Sequence, residues 1–227
     1  MALTNTHNPK DRLQGGGVQR LRNELRSTLV QPRRRQKHIK MASLNMNGRG
    51  DHSQDKWGAI SNTMKRHQVA ILVLQETHPS NDMKETIGRR FQNTLHIVHS
   101  ADPCDPNRTV GVSFAIHKGL IDTKNTTYHQ IIPGQVILLE ITWNDNNRIW
   151  IKNIYTLTRN TEKTAFWHML LESIRDDESL HPDITMGNFN IVKNPELDRL
   201  NNRRGADLLE VRNTLADLTI ELDLVDR

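Results

Sequence analysis

Asp183-Ile184-Thr185-Met186-Gly187-Asn188-Phe189-Asn190-Ile191-Val192 is the stretch on which the reading of this chain turns. Its first four residues predict a short strand, Asp183–Met186, which ends in a glycine and two short amides. Three other predicted strands also carry polar groups at their ends. Asn45 and Asn47 follow Ile39–Leu44, Glu76 follows Leu74-Gln75, and Tyr155 follows Asn153-Ile154. Strand ends on one rim of a sheet stack can converge on a single pocket. Asn45, Asn47, Glu76, Tyr155, Asn188 and Asn190 are therefore the candidate site.

Working outward, the chain alternates strands and helices. Ile39–Asn45 reads as a strand, and Trp57, Ile60 and Met64 keep the spacing of an amphipathic helix over 54–67. The run Val69-Ala70-Ile71-Leu72-Val73-Leu74 has the continuous apolar character of a strand buried on both faces. A helix over 81–91 and a strand over 95–99 follow, then a loop of turn formers at 102–107. Strands are expected at Val110–Ile116, Thr127–Ile132 and Gln135–Trp143, with a hairpin turn at 144–147 into Arg148–Tyr155. Phe166, Trp167, Leu170, Leu171 and Ile174 mark a helix over 161–176. Leu208, Val211, Leu215, Leu218 and Leu222 mark another by their alternating three- and four-residue spacing. Two packed sheets covered by helices, an α/β sandwich, is the architecture this order suggests.

The 227 residues suffice for a sizeable core, and at 35% hydrophobic the composition is polar but globular. Cys104 is the single cysteine, which excludes an internal disulfide and suits a reducing intracellular compartment. No apolar run reaches the roughly 18 residues of a membrane span, and the first residues lack the apolar core of a secretory signal. The net charge of +5 is unevenly placed. Residues 1–40 hold ten Lys/Arg and two Asp/Glu; of the totals of 31 and 26, that leaves 21 basic and 24 acidic side chains for 41–227. Basicity thus belongs to the arm. Residues 1–38 read as a disordered basic arm with a short helix around 18–29, set apart from a domain over 39–227. Its cluster Arg33-Arg34-Arg35-Gln36-Lys37 suits phosphate backbone or nuclear import, and equally a solvated linker.

Short polar groups at the candidate rim match the needs of phosphodiester hydrolysis: a hard cation on oxygen ligands, a base for water, and donors for the phosphate. Glu76 is the candidate ligand for Mg²⁺, Asn45 and Asn190 would orient ligands, and Tyr155 would bond a phosphate oxygen. Each residue also has an ordinary explanation. Glu76 could be an exposed carboxylate after a strand, the asparagines are common turn formers, and Tyr155 could be a core aromatic.

In order along the chain, Ser43-Leu44-Asn45-Met46-Asn47-Gly48, Leu72-Val73-Leu74-Gln75-Glu76-Thr77-His78, Gly111-Val112-Ser113-Phe114-Ala115, Asn153-Ile154-Tyr155 and Gly187-Asn188-Phe189-Asn190 resemble the endonuclease/exonuclease/phosphatase superfamily of DNase I-like folds. Asp198-Arg199 and Leu222-Asp223-Leu224-Val225-Asp226 are similar to its branch in non-LTR retrotransposons. The resemblance covers about 39–227. It implies a four-layer α/β sandwich and nicking of DNA, with RNA a further candidate substrate, dependent on Mg²⁺ (or Mn²⁺). It further implies that Glu76 and Asn45 hold the metal, that Tyr155, Asn188 and Asn190 are catalytic, and that Asn47 and Arg199 contact phosphate or nucleic acid; Arg33, Arg34, Arg35 and Lys37 are candidate nucleic-acid contacts on the charge of the arm alone.

Three departures from the family pattern stand out. Asn188 occupies the position of an Asp that handles the proton of the attacking water, and an amide cannot accept a proton at neutral pH. The family's closing Asp-His pair has no counterpart after His181, the last histidine, and Asp51-His52 lies in an early loop. Leu157 replaces a proline after the tyrosine. With Val225-Asp226-Arg227 opening an element that does not continue, the expectation is a sandwich incomplete at its C-terminus with impaired catalysis. The alternatives are a catalytically silent nucleic-acid binder using the basic arm and an inert remnant. A lipid or nucleotide phosphatase is a weaker reading.

Overall fold

The computed structural model describes residues 38–47, 53–77, 81–102, 111–143, 147–191 and 209–224, all within the compact unit Lys37–Arg227. Met41–Asn45 (β1) leads through the helix Ser53–His67 (α1) to Ile71–Gln75 (β2), and the two strands pair in parallel. The helix Asn81–Phe91 (α2) and the strands Leu95–Ser100 (β3) and Val112–His117 (β4) follow. β4 lies antiparallel between β2 and β3, giving the order β1-β2-β4-β3. Thr127–Ile132 (β5), Val136–Trp143 (β6) and Asn147–Tyr155 (β7) form an antiparallel meander. The helix Asn160–Asp176 (α3) crosses to Ile184–Asn188 (β8), parallel to β7, and completes the order β5-β6-β7-β8. Leu209–Glu221 (α4) is the last described element.

Side-chain alternation turns these strands into four layers. Ile71 and Val73 of β2 face a core shared with Phe114, Ile137, Leu139 and Ile151, between the sheets. Leu72 and Leu74, one residue out of step, pack under Trp57, Ile60 and Met64 of α1 and Ile87 and Phe91 of α2. On the far side, Val136 and Ile154 pack against Phe166, Trp167 and Leu170 of α3 and Val211 and Leu218 of α4. The expected α/β/β/α sandwich is the one observed. β2 is buried at every residue, as its uninterrupted apolar run requires.

Most boundaries fall within two residues of the sequence expectation, and one shift is informative. β8 runs through Gly187 and Asn188 instead of stopping at Met186, because Gly187 pairs with Ile154 and Asn188 with Tyr155. Gly187 sits at φ 151°, and a Cβ placed there would lie 1.9 Å from the Ile154 carbonyl oxygen. Only glycine lets the strand continue against β7. The short 3₁₀ turn Glu178–Leu180 was not foreseen; Asp177 caps it by accepting the Ser179 N–H at 2.9 Å. The helix expected over 18–29 and the loop expected from 103 onward lie outside the described residues.

β7 also carries an unexpected charge. Lys152 is fully buried between Leu138 and Thr185, and its Nζ has no hydrogen-bond partner among the described residues. Burial lowers its amine from 10.5 to about 7. The unfolded chain therefore binds more protons between these values, so stability rises with pH from about 7 to 10.5 and is lost as pH falls through that window. Lys152→Met should raise stability at pH 7 by about 1–3 kcal/mol and flatten this pH dependence, as read by thermal unfolding at a series of pH values. Gly187→Ala should act in the opposite direction, costing roughly 3 kcal/mol or more in a urea titration, because its Cβ must push β8 off β7.

Candidate active site at the joined strand ends

The parallel strands of each sheet bring their C-terminal ends to the rim. Asn45 closes β1, and the ladder with β2 extends one step further as the Met46 N–H bonds the Gln75 carbonyl at 2.8 Å. Beyond it the backbone turns at Asn47 (φ 51°) and Glu76 (φ 53°). Asn45 spans that turn: its Oδ1 accepts the Asn47 N–H at 2.7 Å, and its Nδ2 donates to Glu76 Oε1 at 2.8 Å. From the opposite sheet, the last residue of β7, Tyr155, brings its phenol into the electrostatic reach of the Glu76 carboxylate. Burial first, and then the charge and hydrogen bond of Glu76, push the phenol up to about 12. Tyr155 thus keeps its proton, and with it a hydrogen-bond donor, throughout the physiological range.

A second cluster sits beside it at the end of β8. Thr156 donates its N–H to the Asn188 carbonyl at 3.1 Å and its Oγ1 to the Phe189 carbonyl at 2.5 Å. Asn190 donates its Nδ2 to the Thr156 carbonyl at 2.5 Å, and its N–H to Asn188 Oδ1 at 3.1 Å. Phe189 anchors the turn by stacking on Trp167 of α3, with centroids 5.9 Å apart and planes 1° from parallel. The side-chain oxygen of residue 188 therefore has a local structural task, accepting a main-chain N–H, which Asn performs as well as Asp would.

Five described non-glycine residues have positive φ, and Asn47, Glu76 and Asn190 are three of them. Such conformations cost about 1 kcal/mol or more for L-residues, and here they gather at the rim. The structure brings Asn45, Asn47 and Glu76 into one hydrogen-bonded set with Tyr155 beside it, and Asn188 and Asn190 are braced to the residue after Tyr155. Arg199, Arg33, Arg34, Arg35 and Lys37 lie outside the described residues, as does Asp51-His52.

Sequence reasoning missed a buried polar layer directly beneath the rim. Gln75 Nε2 donates to Asn153 Oδ1 at 2.9 Å across the sheet interface. Asn153 Nδ2 donates to the carbonyls of Leu74 at 2.9 Å and Ser113 at 3.0 Å. Ser113 Oγ lies 2.9 Å from Thr77 Oγ1 and 2.6 Å from His99 Nδ1. Burial, followed by the positive charge of Lys84, lowers His99 to about 4, so the imidazole is neutral at pH 7. The available signal was a polar residue at an inward strand position: Gln75 closing an apolar run, and Asn153 between Ile151 and Tyr155.

Among the described residues no group of three or more His, Cys, Asp or Glu side chains gathers to hold a metal. The rim does offer the Glu76 carboxylate, with the Asn45 amide bonded to it through Nδ2 and the amide oxygen accepting the Asn47 N–H. That donor set fits a hard cation of the Mg²⁺ type, which is bound through one or two carboxylates and keeps several waters. No described helix is long and apolar enough to cross a membrane.

No family model and no curated protein matches the sequence. Solved structures do match. An AP endonuclease from Archaeoglobus fulgidus superposes with a TM-score of 0.59 at 16% identity, over 82% of this chain and 71% of that one. The AP endonuclease LMAP from Leishmania major gives 0.61 at 16% identity, over 83% and 68%. At these identities the likeness concerns architecture, and the chain has the DNase I-like fold of these AP endonucleases.

Proposed function

We propose that this domain is a divalent-metal-dependent DNA phosphodiesterase of the endonuclease type, with its hydrolytic step weakened by Asn188. One observation carries the reading: the Glu76 carboxylate accepts from Asn45 in its own sheet and acts on the Tyr155 phenol of the other, at the joined C-terminal rim. The shared fold with AP endonucleases supports it. Within that class, the Gly187-Asn188-Phe189-Asn190, Asp198-Arg199 and Leu222–Asp226 segments favour the retroelement branch.

Glu76 and Asn45 would hold Mg²⁺ or Mn²⁺, which when bound supplies Lewis-acid polarisation of the phosphate. Tyr155, held in its protonated form, can turn its donor from Glu76 to a phosphate oxygen. Asn190 keeps the 188–190 turn closed. Asn188 stands where a general base would take a proton from water, and its amide cannot do so. Loss of such a base typically costs about 10²–10⁴ in rate. Asn188→Asp preserves the acceptor for the Asn190 N–H and restores a carboxylate.

Plasmid nicking with Mg²⁺ or Mn²⁺ is the test. Asn188→Asp should raise the nicking rate by about 10²–10⁴-fold, and Glu76→Gln in that background should return it to baseline. Nicking that persists in the double variant would mean the rim is not the active site. No gain from Asn188→Asp would remove Asn188 as the defect.

The excess of ten basic over two acidic residues in 1–40 favours a second reading, a nucleic-acid binder without turnover. Here deletion of residues 1–38 should abolish DNA binding, and affinity of the full chain should fall steeply with salt. Unchanged binding after the deletion would leave the arm without a part in it.

A further inference from the structure

We propose that Gln75 and Asn153 are positioning residues: their hydrogen bond across the sheet interface sets Glu76 at the correct distance from Tyr155. The inference rests on the reading of the rim given above and identifies what holds its two halves in register.

Asn153 is completely buried on the inward face of β7, flanked along the strand by Ile151 and Tyr155 in the apolar inter-sheet core. A carboxamide there costs free energy unless its bonds are all made. They are made entirely to the other sheet. Oδ1 accepts from Gln75 of β2, and Nδ2 donates to main-chain carbonyls of Leu74 on β2 and Ser113 on β4. One side chain therefore bolts β7 to the β2–β4 pair. An apolar side chain would fill the same space with no directional demand, so what the amide adds is geometry.

The bolt lies where its leverage on the rim is greatest. Gln75 directly precedes Glu76, and Asn153 precedes Tyr155 by two residues on the same strand face. Consecutive Cα atoms are about 3.8 Å apart, so displacement of Gln75 passes almost undiminished to Glu76. Gln75 also exchanges a hydrogen bond with Ser43, at 3.2 Å from Nε2 to Oγ, two residues before Asn45. Ser43, Gln75 and Asn153 thus form a lower tier beneath Asn45, Glu76 and Tyr155, two residues down β1 and β7 and one residue down β2.

The chain has two tyrosines, and Tyr128 is about half exposed on β5, so Tyr128→Phe leaves Tyr155 as a single reporter. In that background, with tyrosine ¹³C-labelled at Cζ, one resonance reports whether the phenol donates to Glu76. Glu76→Gln marks its position when the charged acceptor is gone. Gln75→Met and Asn153→Leu should each move the resonance most of the way to the Glu76→Gln position at pH 7, while thermal unfolding stays cooperative. A purely structural role would lower the melting temperature and leave the resonance in place. That result in folded Gln75→Met overturns the proposal. Should Asn153→Leu not fold, Gln75→Met suffices, because it leaves both Asn153 bonds to the Leu74 and Ser113 carbonyls intact. The resonance requires no turnover. A shifted resonance with nicking that persists in the Asn188→Asp, Glu76→Gln double variant would uphold the positioning and sink the nuclease reading of the rim, and an unmoved resonance with nicking abolished by Glu76→Gln would do the reverse.

Discussion

Glu76 meets both halves of the sandwich: it accepts a hydrogen bond from Asn45 at the end of β1 and its charge reaches Tyr155 at the end of β7. A carboxylate that accepts from a neutral amide keeps its charge partly compensated and leaves room for a cation to be added. Its φ of 53° is strained, and the backbone on either side maintains it. Gln75 is in the ladder with Asn45, and Thr77 donates its N–H to the Gly111 carbonyl at 3.1 Å. The candidate site depends on these two sheets keeping their relative height, because a slip by one residue would carry Glu76 away from Tyr155.

The apolar layers supply stability and the polar layer supplies register. Between the sheets, Ile, Val, Leu and Phe side chains interdigitate with no directional preference, and such a core tolerates small shifts. The Gln75–Asn153 bolt and the hydroxyl pair of Ser113 and Thr77 do not. A hydrogen bond loses most of its strength within a few tenths of an ångström or a few tens of degrees. Lys152, on the opposite face of β7, is the contrast. Its buried amine meets no partner among the described residues, so it weakens the fold without organising anything that the structure describes.

Much of the fold was legible in particular residues. Val69–Leu74 could only be an interior strand, and Trp57, Ile60 and Met64 could only be one face of a helix. The rim was legible because Asn45, Tyr155 and Asn188 each end a strand and Glu76 directly follows one. Gln75 and Asn153 were not recognised, since a polar residue inside a strand is more often on its solvent face, and only the pairing reveals that both point inward. Nor was the task of Asn190 recognised. Its amide closes the turn onto Thr156, a contact made across 34 residues of sequence.

The alternation of apolar runs with amphipathic spacings by itself determined the layered α/β class, the order of elements and which residues sit at strand ends. These are local properties, dictated by side-chain periodicity and turn chemistry within a few residues. The tertiary structure alone decided that β1 and β2 meet β7 and β8 at one rim, that Gly187 must lack a side chain to lie against Ile154, and that a buried carboxamide joins the sheets. Those facts depend on distances between segments some 30 to 80 residues apart. Such distances are set by how the layers pack, not by anything the neighbouring residues encode.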